Sequence, residues 1–396
     1  MSYGPACHGR ARQNTDGTGC RVNSIPNTPA RRKTLPMPVH VISYDTAHPG
    51  DTSDLLQNLA RFDPLKIRRL ALLVKTDGNS DLNDFSRSYG LQSAGLAVEQ
   101  FGGRALLERS TFLFSSGCEG AMTPFGQLFV DVADAADAQA TRSSALAFGC
   151  ARSRPLTGDE IGTLAHADLV TQTVLAAMAD AGVAEADVSL AIVKTPVMSR
   201  VPATARQAVN KRITSAYSKA VAALGAGVAL DEVERAQIKP ETFDADPTLH
   251  ARRAMVFSGN EVDYVEVLLL ANRAGAAGDL YVQTGSMRDL LDAGGLRRMF
   301  LAAGCRIGAD GEVADAERVV ATLVKAGATS DGRVRGRRTT IKSSHIDMDK
   351  HVRAAVSGVL GSVLGDTRAF ISANTVHQAP PGGGLCACVV RRSAGE

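Results

Sequence analysis

Three stretches decide how this sequence folds: Leu70-Ala-Leu-Leu-Val-Lys75-Thr76, Leu190-Ala-Ile-Val-Lys194-Thr195 and Val320-Ala-Thr-Leu-Val-Lys325-Ala326. Each is a short apolar run of strand character that ends on a lysine, and the lysines recur every ~120–130 residues, the period of a chain assembled from copies of one unit. Past each lysine comes a loop and then a cation opening a small-residue helical stretch: Arg87 before Ser88-Tyr-Gly-Leu, Lys219 before Ala220-Val-Ala-Ala-Leu-Gly, and Arg353 before Ala354-Ala-Val-Ser-Gly. A second apolar strand then breaks at serine and small residues: Phe112-Leu-Phe-Ser115-Ser116-Gly117, Met255-Val-Phe257-Ser258-Gly259 and Ala369-Phe-Ile-Ser372-Ala373-Asn374.

The pattern predicts an α/β protein of three homologous units around a pseudo-threefold axis with a central cleft. The expected units are 37–136, 137–276 and 277–396, after a tail of residues 1–36, with boundaries near Asp134–Ala140 and Arg273–Gly278. Further amphipathic helices such as Leu169 to Gly182 complete them. A single lysine at a strand end is ordinarily a solvated terminus. Three matched lysines, each followed by serine or small residues at a later strand end, would converge on one cleft, a common place for chemistry.

Composition narrows the class. With 396 residues the chain exceeds one ordinary core, and 44 basic against 41 acidic side chains argue against nucleic-acid binding by bulk charge. No apolar run reaches the roughly 18 residues of a membrane helix. Seven cysteines, an odd number without a CxxC pair, fit a reduced compartment, so a soluble cytoplasmic protein is expected. In the tail, Arg10, Arg12, Arg21, Arg31, Arg32 and Lys33 face only Asp16, with almost no apolar periodicity. A disordered extension or a misplaced start codon is the simpler reading, an organelle address the alternative.

From about Met37 to Val390 the chain resembles the cyanuric acid hydrolase and barbiturase family, the ring-opening cyclic-amide hydrolases. The resemblance rests on Pro49-Gly-Asp-Thr-Ser53, Val74-Lys-Thr-Asp-Gly-Asn79 with Asn83-Asp-Phe-Ser-Arg87, Ser116-Gly-Cys-Glu-Gly120, Ala181-Gly182, Gly332-Arg-Val-Arg-Gly-Arg-Arg338 and His377-Gln-Ala-Pro-Pro-Gly-Gly-Gly384. It implies three α/β units about a pseudo-threefold axis, a homotetramer, and three Ser–Lys dyads around a small planar cyclic amide or imide. An arginine from each repeat holds ring oxygens. Serine is a poor nucleophile until a base takes its proton, and lysine is a base only when burial or neighbouring cations keep it neutral. No cofactor is implied by this chemistry.

Carried over position by position, Lys75, Arg87 and Ser115 match the first set, with Ser116 beside it. Lys325, Arg353 and Ser372 match the third, with Ala373-Asn374 where glycines are expected. In the second repeat, which carries the nucleophile in characterised members, Lys194 matches the lysine. Aligning Glu119 with Glu261 sets Phe257 opposite Ser115 and Ser258 opposite Ser116. A slip of one residue along a strand turns a side chain to the other face, so Ser258 does not simply replace the lost hydroxyl. Lys219 stands where the family has arginine and lacks the bidentate fork. Gly327 and Val376 stand where acidic residues help hold a structural metal, so no metal of that type is expected.

Three readings stay open: a divergent ring-acting hydrolase, ordinary cyanurate or barbiturate hydrolysis from another dyad, and a non-hydrolytic role such as ring closure, ligand binding or scaffolding. Two complete Lys–Arg–Ser sets favour retained chemistry. Phe257 favours a ring with an apolar portion. Elsewhere, Cys118 is a thiol candidate beside the first serines, with a buried apolar role as the alternative. Cys386 and Cys388 read as core, and His345, His351 and His377 lack metal-ligand spacing. Pro380 to Gly384 reads as a turn, and the arginines of 332–338, without interleaved aromatics, as a solvated or inter-subunit loop.

Overall fold

Each apolar run that ends on a lysine becomes the second strand of a four-stranded sheet. The computed structural model describes residues 39–80, 83–133, 144–198, 214–243 and 248–393, so the basic tail 1–36 and the expected boundary at 134–140 lie outside the described residues. The first sheet contains β1 (Val39–Asp45), β2 (Ile67–Thr76), β3 (Ser110–Ser116) and β4 (Phe125–Val132), with helices α1 (Ser53–Leu59) and α2 (Ser86–Glu108, kinked at Gly103). The second contains β5 (Ser144–Pro155), β6 (Val188–Pro196), β7 (Ala254–Gly259) and β8 (Tyr264–Ala274), with α3 (Leu164–Ala181) and α4 (Ser215–Ala229). The third begins with β9 (Leu280–Met287), α5 (Ala293–Ala302) and β10 (Val319–Ala326). A two-residue hairpin, β11 (Arg333–Val334) with β12 (Arg337–Arg338), precedes α6 (Met348–Leu364), β13 (Phe370–Ala373) and β14 (Gly384–Arg391).

All three sheets share one strand order: β1-β4-β2-β3, β5-β8-β6-β7 and β9-β14-β10-β13. Their second and third strands are parallel, and the others pair antiparallel. A parallel pair needs a long crossover, which α2, α4 and α6 supply. The register of the parallel pairs sets Lys75 beside Ser115, Lys194 beside Phe257 and Lys325 beside Ser372.

Strand alternation explains the layers. Ala71, Leu73 and Leu113 point into a core shared with Ile192, Phe257, Leu323 and Phe370 of the other sheets, while Leu70, Leu72, Val74, Phe112 and Phe114 pack on the helical side. Counting on by two puts Lys75, Lys194 and Lys325 on the same inner face, at the carboxyl ends of their strands. Helices cover the outer faces. α4 and α6 begin about one turn before Lys219 and Arg353, because Thr214 Oγ1 accepts from the Tyr217 amide and the Asp347 carboxylate from the Asp349 amide. Among the described residues no helix is long and apolar enough to cross a membrane.

The edge strand β3 lies against the second sheet, and side chains of that sheet occupy its outward carbonyls. Arg152 donates to the Ser110 carbonyl at 3.3 Å and Lys194 to the Phe114 carbonyl at 2.8 Å.

Close packing of α3 on the second sheet depends on Gly149 in β5. A Cβ there would fall 2.0 Å from the Ala177 carbonyl oxygen and 2.7 Å from the Ala181 nitrogen, backbone atoms that cannot swing aside. Gly149→Ala is expected to destabilise the protein by about 1–3 kcal/mol, read as a lower urea midpoint. An unchanged midpoint would mean that α3 lifts off the sheet freely.

Candidate active site

The inner ends of the three sheets meet around a cavity of about 300 Å³. Ser115, Phe257 and Ser372, the residues in register with the three lysines, all line it, as do Arg87, Lys219 and Arg353 from the crossover helices. Ser116 and Ser258 line it too, one step further along their strands, and both turn toward the helical side. Ser116 Oγ accepts from Arg87, and Ser258 shares a 2.7 Å hydrogen bond with Ser215. Ala373 is buried and is not among the lining residues; its carbonyl accepts from Lys325 at 2.7 Å.

The lysines stand behind this wall, each no more than 1% exposed. Lys75 Nζ donates to Ser115 Oγ at 3.3 Å and to the Ser116 carbonyl at 3.0 Å. Burial, helped by the Arg353 guanidinium, brings its amino group down to about 7. Lys325 Nζ donates to Ser372 Oγ at 3.0 Å, and burial with nearby Lys219 holds it well below the ordinary lysine value. Lys194 differs. With phenylalanine at 257 it has no hydroxyl partner among the described residues, and its Nζ instead meets the Glu261 carboxylate, the Phe114 carbonyl and, 5.2 Å from the centroid, the Phe257 ring. Burial lowers it to about 8, with Glu261 opposing.

The arginines are fixed across the seams between units. Arg87 of the first unit donates through Nε to Glu261 of the second at 2.8 Å, and through Nη2 to Asn260 at 3.0 Å. Arg353 of the third unit grips Glu119 of the first with Nε and Nη2, the latter at 2.7 Å. Its guanidinium lies against Gly117, at φ 93°, where a Cβ would come within 2.9 Å of Nε. The third seam breaks the pattern: Val376 occupies the place of the carboxylate, and Lys219 Nζ lies 3.7 Å from Asp349 in the first turn of α6. Burial lowers the Lys219 amino group, with Asp349 opposing.

Several residues at the site escaped the sequence reading. Glu119 and Glu261 served there only as alignment anchors, although their shared place four residues past Ser115 and Phe257 was a signal for paired roles. Ser80, Asn260, Asp347 and Asp349 line the cavity with no repeat to mark them. Cys118 donates to the Thr76 carbonyl at 3.2 Å, and burial pushes its thiol up to about 11, far from thiolate character at neutral pH. The three histidines of the third unit lie apart. His351 meets Ser344, the ring nitrogens of His377 face the Leu249 and Phe243 carbonyls, and His345 is exposed.

The residues at 327 and 376 do not suit a metal of the family type. A side chain at Gly327 would meet Thr375 Oγ1 at 2.1 Å, and valine brings no donor. Among the described residues no group of three His, Cys, Asp or Glu side chains gathers elsewhere as a metal site.

Comparison with known proteins agrees with this architecture. Residues 40–391 match the family described as Amidohydrolase ring-opening protein. A cyclic amide hydrolase of Azorhizobium caulinodans is 34% identical over 376 residues, 90% of this chain and 100% of that protein. A cyanuric acid amidohydrolase of a Methylobacterium species is 34% identical over 375 residues, 91% and 98% of the two chains. Among solved structures, a cyanuric acid hydrolase described as an evolutionary innovation by structural concatenation is 28% identical, with a TM-score of 0.82 over 90% of this chain and 100% of its own. The crystal structure of the cyanuric acid hydrolase from A. caulinodans is 32% identical, with a TM-score of 0.79 over 90% and 99%.

If the Arg353–Glu119 clamp ties the first and third units together, Glu119→Ala leaves a largely buried guanidinium without its carboxylate. A loss of about 2–3 kcal/mol in unfolding free energy is expected. A loss below about 0.5 kcal/mol would show that water replaces the carboxylate at no penalty.

Proposed function

The chain belongs to the ring-opening amidohydrolases, and from that premise we propose that it opens a planar cyclic imide or ureide with Ser115 as nucleophile and Lys75 as its base. The observation that carries this is the pairing of a 3.3 Å Lys75–Ser115 contact with two guanidinium groups beside the same turn, Arg87 on Ser116 and Arg353 against Gly117. A hydroxyl with a nearly neutral base behind it and cations in front has what acyl transfer needs. Neutral Lys75 takes the Ser115 proton as Oγ bonds to a ring carbonyl carbon. The ring C–N bond breaks, and the leaving nitrogen receives the proton from the Lys75 ammonium. Water then adds to the acyl carbon, giving its proton to Lys75; the acyl C–Oγ bond breaks, the Lys75 ammonium returns that proton to Ser115 Oγ, and the open-chain acid is released.

Ser372 with Lys325 has the shorter contact, but its seam offers Lys219, already engaged with Asp349, in place of a fork. Phe257 shapes the substrate. It stands in a row with the two serines and is tilted against Phe370 at 5.2 Å between centroids, so this side of the cavity offers an apolar face and no hydroxyl. A ring oxygen turned toward it loses roughly 1–3 kcal/mol, a factor of about ten to a hundred. The fitting substrate is a flat imide or ureide that carries an apolar group on that side. The same Phe257 also favours a second reading, a protein that binds or closes such rings without opening them. As part of the proposal, the chain assembles as a homotetramer, for which the exposed Tyr89 and Leu96 of α2 offer an apolar contact face.

Ring opening of cyanuric acid, barbituric acid and 5-phenylbarbituric acid, followed by loss of ring absorbance, tests this reading. The phenyl compound is expected to turn over at least tenfold faster than the other two, and Ser115→Ala to lose at least roughly 10³-fold in rate. Brisk cyanurate opening would overturn the role given to Phe257, near-normal turnover by Ser115→Ala the nucleophile, and turnover of none of the three would favour the second reading. Because Lys75 must be neutral to act, kcat/KM is expected to rise with pH through about 7 and level off above it. A profile flat from pH 5 to 9 would exclude Lys75 as the base.

A further inference from the structure

Lys194 is buried, charged chemistry at the position of a base, yet the serine mechanism through Ser115 leaves it unused. We propose that Lys194 is a positioning residue, which fixes Glu261 and through it the Arg87 guanidinium at the cavity wall. Among the described residues its ammonium group meets one carboxylate oxygen of Glu261, the Phe114 carbonyl of the neighbouring unit and the face of Phe257. The other oxygen of Glu261 accepts from Arg87 Nε at 2.8 Å, so one carboxylate bridges the two cations, and the side chains of Lys194 and Glu261 are each 1% exposed.

Backbone geometry is built for this bridge. Gly259 lets Glu261 fold back, since a Cβ there would lie 2.1 Å from Glu261 Oε2 and 2.5 Å from Lys194 Nζ. Burial would raise the Glu261 carboxyl, but Lys194 and Arg87 outweigh it and hold it below the usual range, so the group that joins the two cations is a carboxylate. In the first and third units the matched lysines turn the other way, onto a serine hydroxyl and the following carbonyl. The loss of the hydroxyl at 257 and the lysine–carboxylate pair thus go together. Arg87 Nη1 and Nη2 remain directed at Ser116 and Asn260 on the cavity wall, where a ring oxygen would meet them.

This inference rests on the proposed function only for its kinetic arm. The first arm needs no substrate: solvent exchange of the Arg87 Nε–H by NMR, its signal assigned by its disappearance in Arg87→Lys. Lys194→Met is expected to speed that exchange at least tenfold, and Glu261→Gln to do the same. The double variant is expected to be no faster than the quicker single one, because all act through one bridge. Unchanged exchange in Lys194→Met overturns the proposal whatever the protein does to rings. If Lys194→Met does not fold, Glu261→Gln alone carries the test, with the same two outcomes. In the second arm, with 5-phenylbarbituric acid, Lys194→Met is expected to raise KM about tenfold, keep kcat within about threefold and leave the rise in rate near pH 7 in place. A roughly 10³-fold fall in kcat with loss of that rise would show Lys194 to be the base. Absence of turnover in the parent protein would count against the proposed function alone, since the exchange arm still decides the role of Lys194.

Discussion

Three ammonium groups held out of water set the terms for the rest of the molecule. Moving such an ion into an apolar interior is unfavourable by several kcal/mol unless it is neutralised or paired. The strand alternation that buries Leu73, Ile192 and Leu323 leaves no choice about where Lys75, Lys194 and Lys325 point. Two of the lysines sit beside a hydroxyl, with burial lowering their hold on the proton. The third keeps a carboxylate instead. One burial problem is met in two ways, by a serine hydroxyl in the first and third units and by the Glu261 carboxylate in the second.

Threefold repetition and its breakage are both physical facts about the seams. Two seams close with an arginine on a glutamate from the next unit, and the third with a lysine on an aspartate in the first turn of α6. The changes at 219, 257 and 376 all belong to or border the second unit, so the cavity offers serine hydroxyls on two sides and the Phe257 ring on the third, with Phe370 packed behind it.

Much of this was legible in the chain. The repeated Val-Lys ends and the later strands that break at serine and small residues pointed to three matched units meeting at one cleft, and the mismatch at Phe257 came from setting Glu119 against Glu261 in the light of the family resemblance. The seam partners were not legible, because Glu261 serves an arginine some 170 residues away and nothing local in Asn260-Glu261 says which unit it will meet. Asp349 was hidden for a different reason. As an ordinary first-turn acid of a capped helix it has a sufficient local explanation, and only the fold brings Lys219 to it. The onset of α4 and α6 was misjudged by about a turn, since alanine and glycine content marks the helix body while Thr214 and Asp347 set its start.

The treatment of β3 has a bearing on how such a chain can have grown. An edge strand with a bare row of carbonyls and amides recruits strands from other molecules, and here long cationic side chains of the adjoining sheet sit on that row instead. A solitary copy of the unit would therefore present a sticky border and tend to aggregate. Tandem duplication in one polypeptide supplies the chaperoning neighbour at fixed proximity during synthesis, before any partner has to be found by diffusion. Arg152 and Lys194 thus occupy carbonyls through which a further strand would otherwise pair with β3.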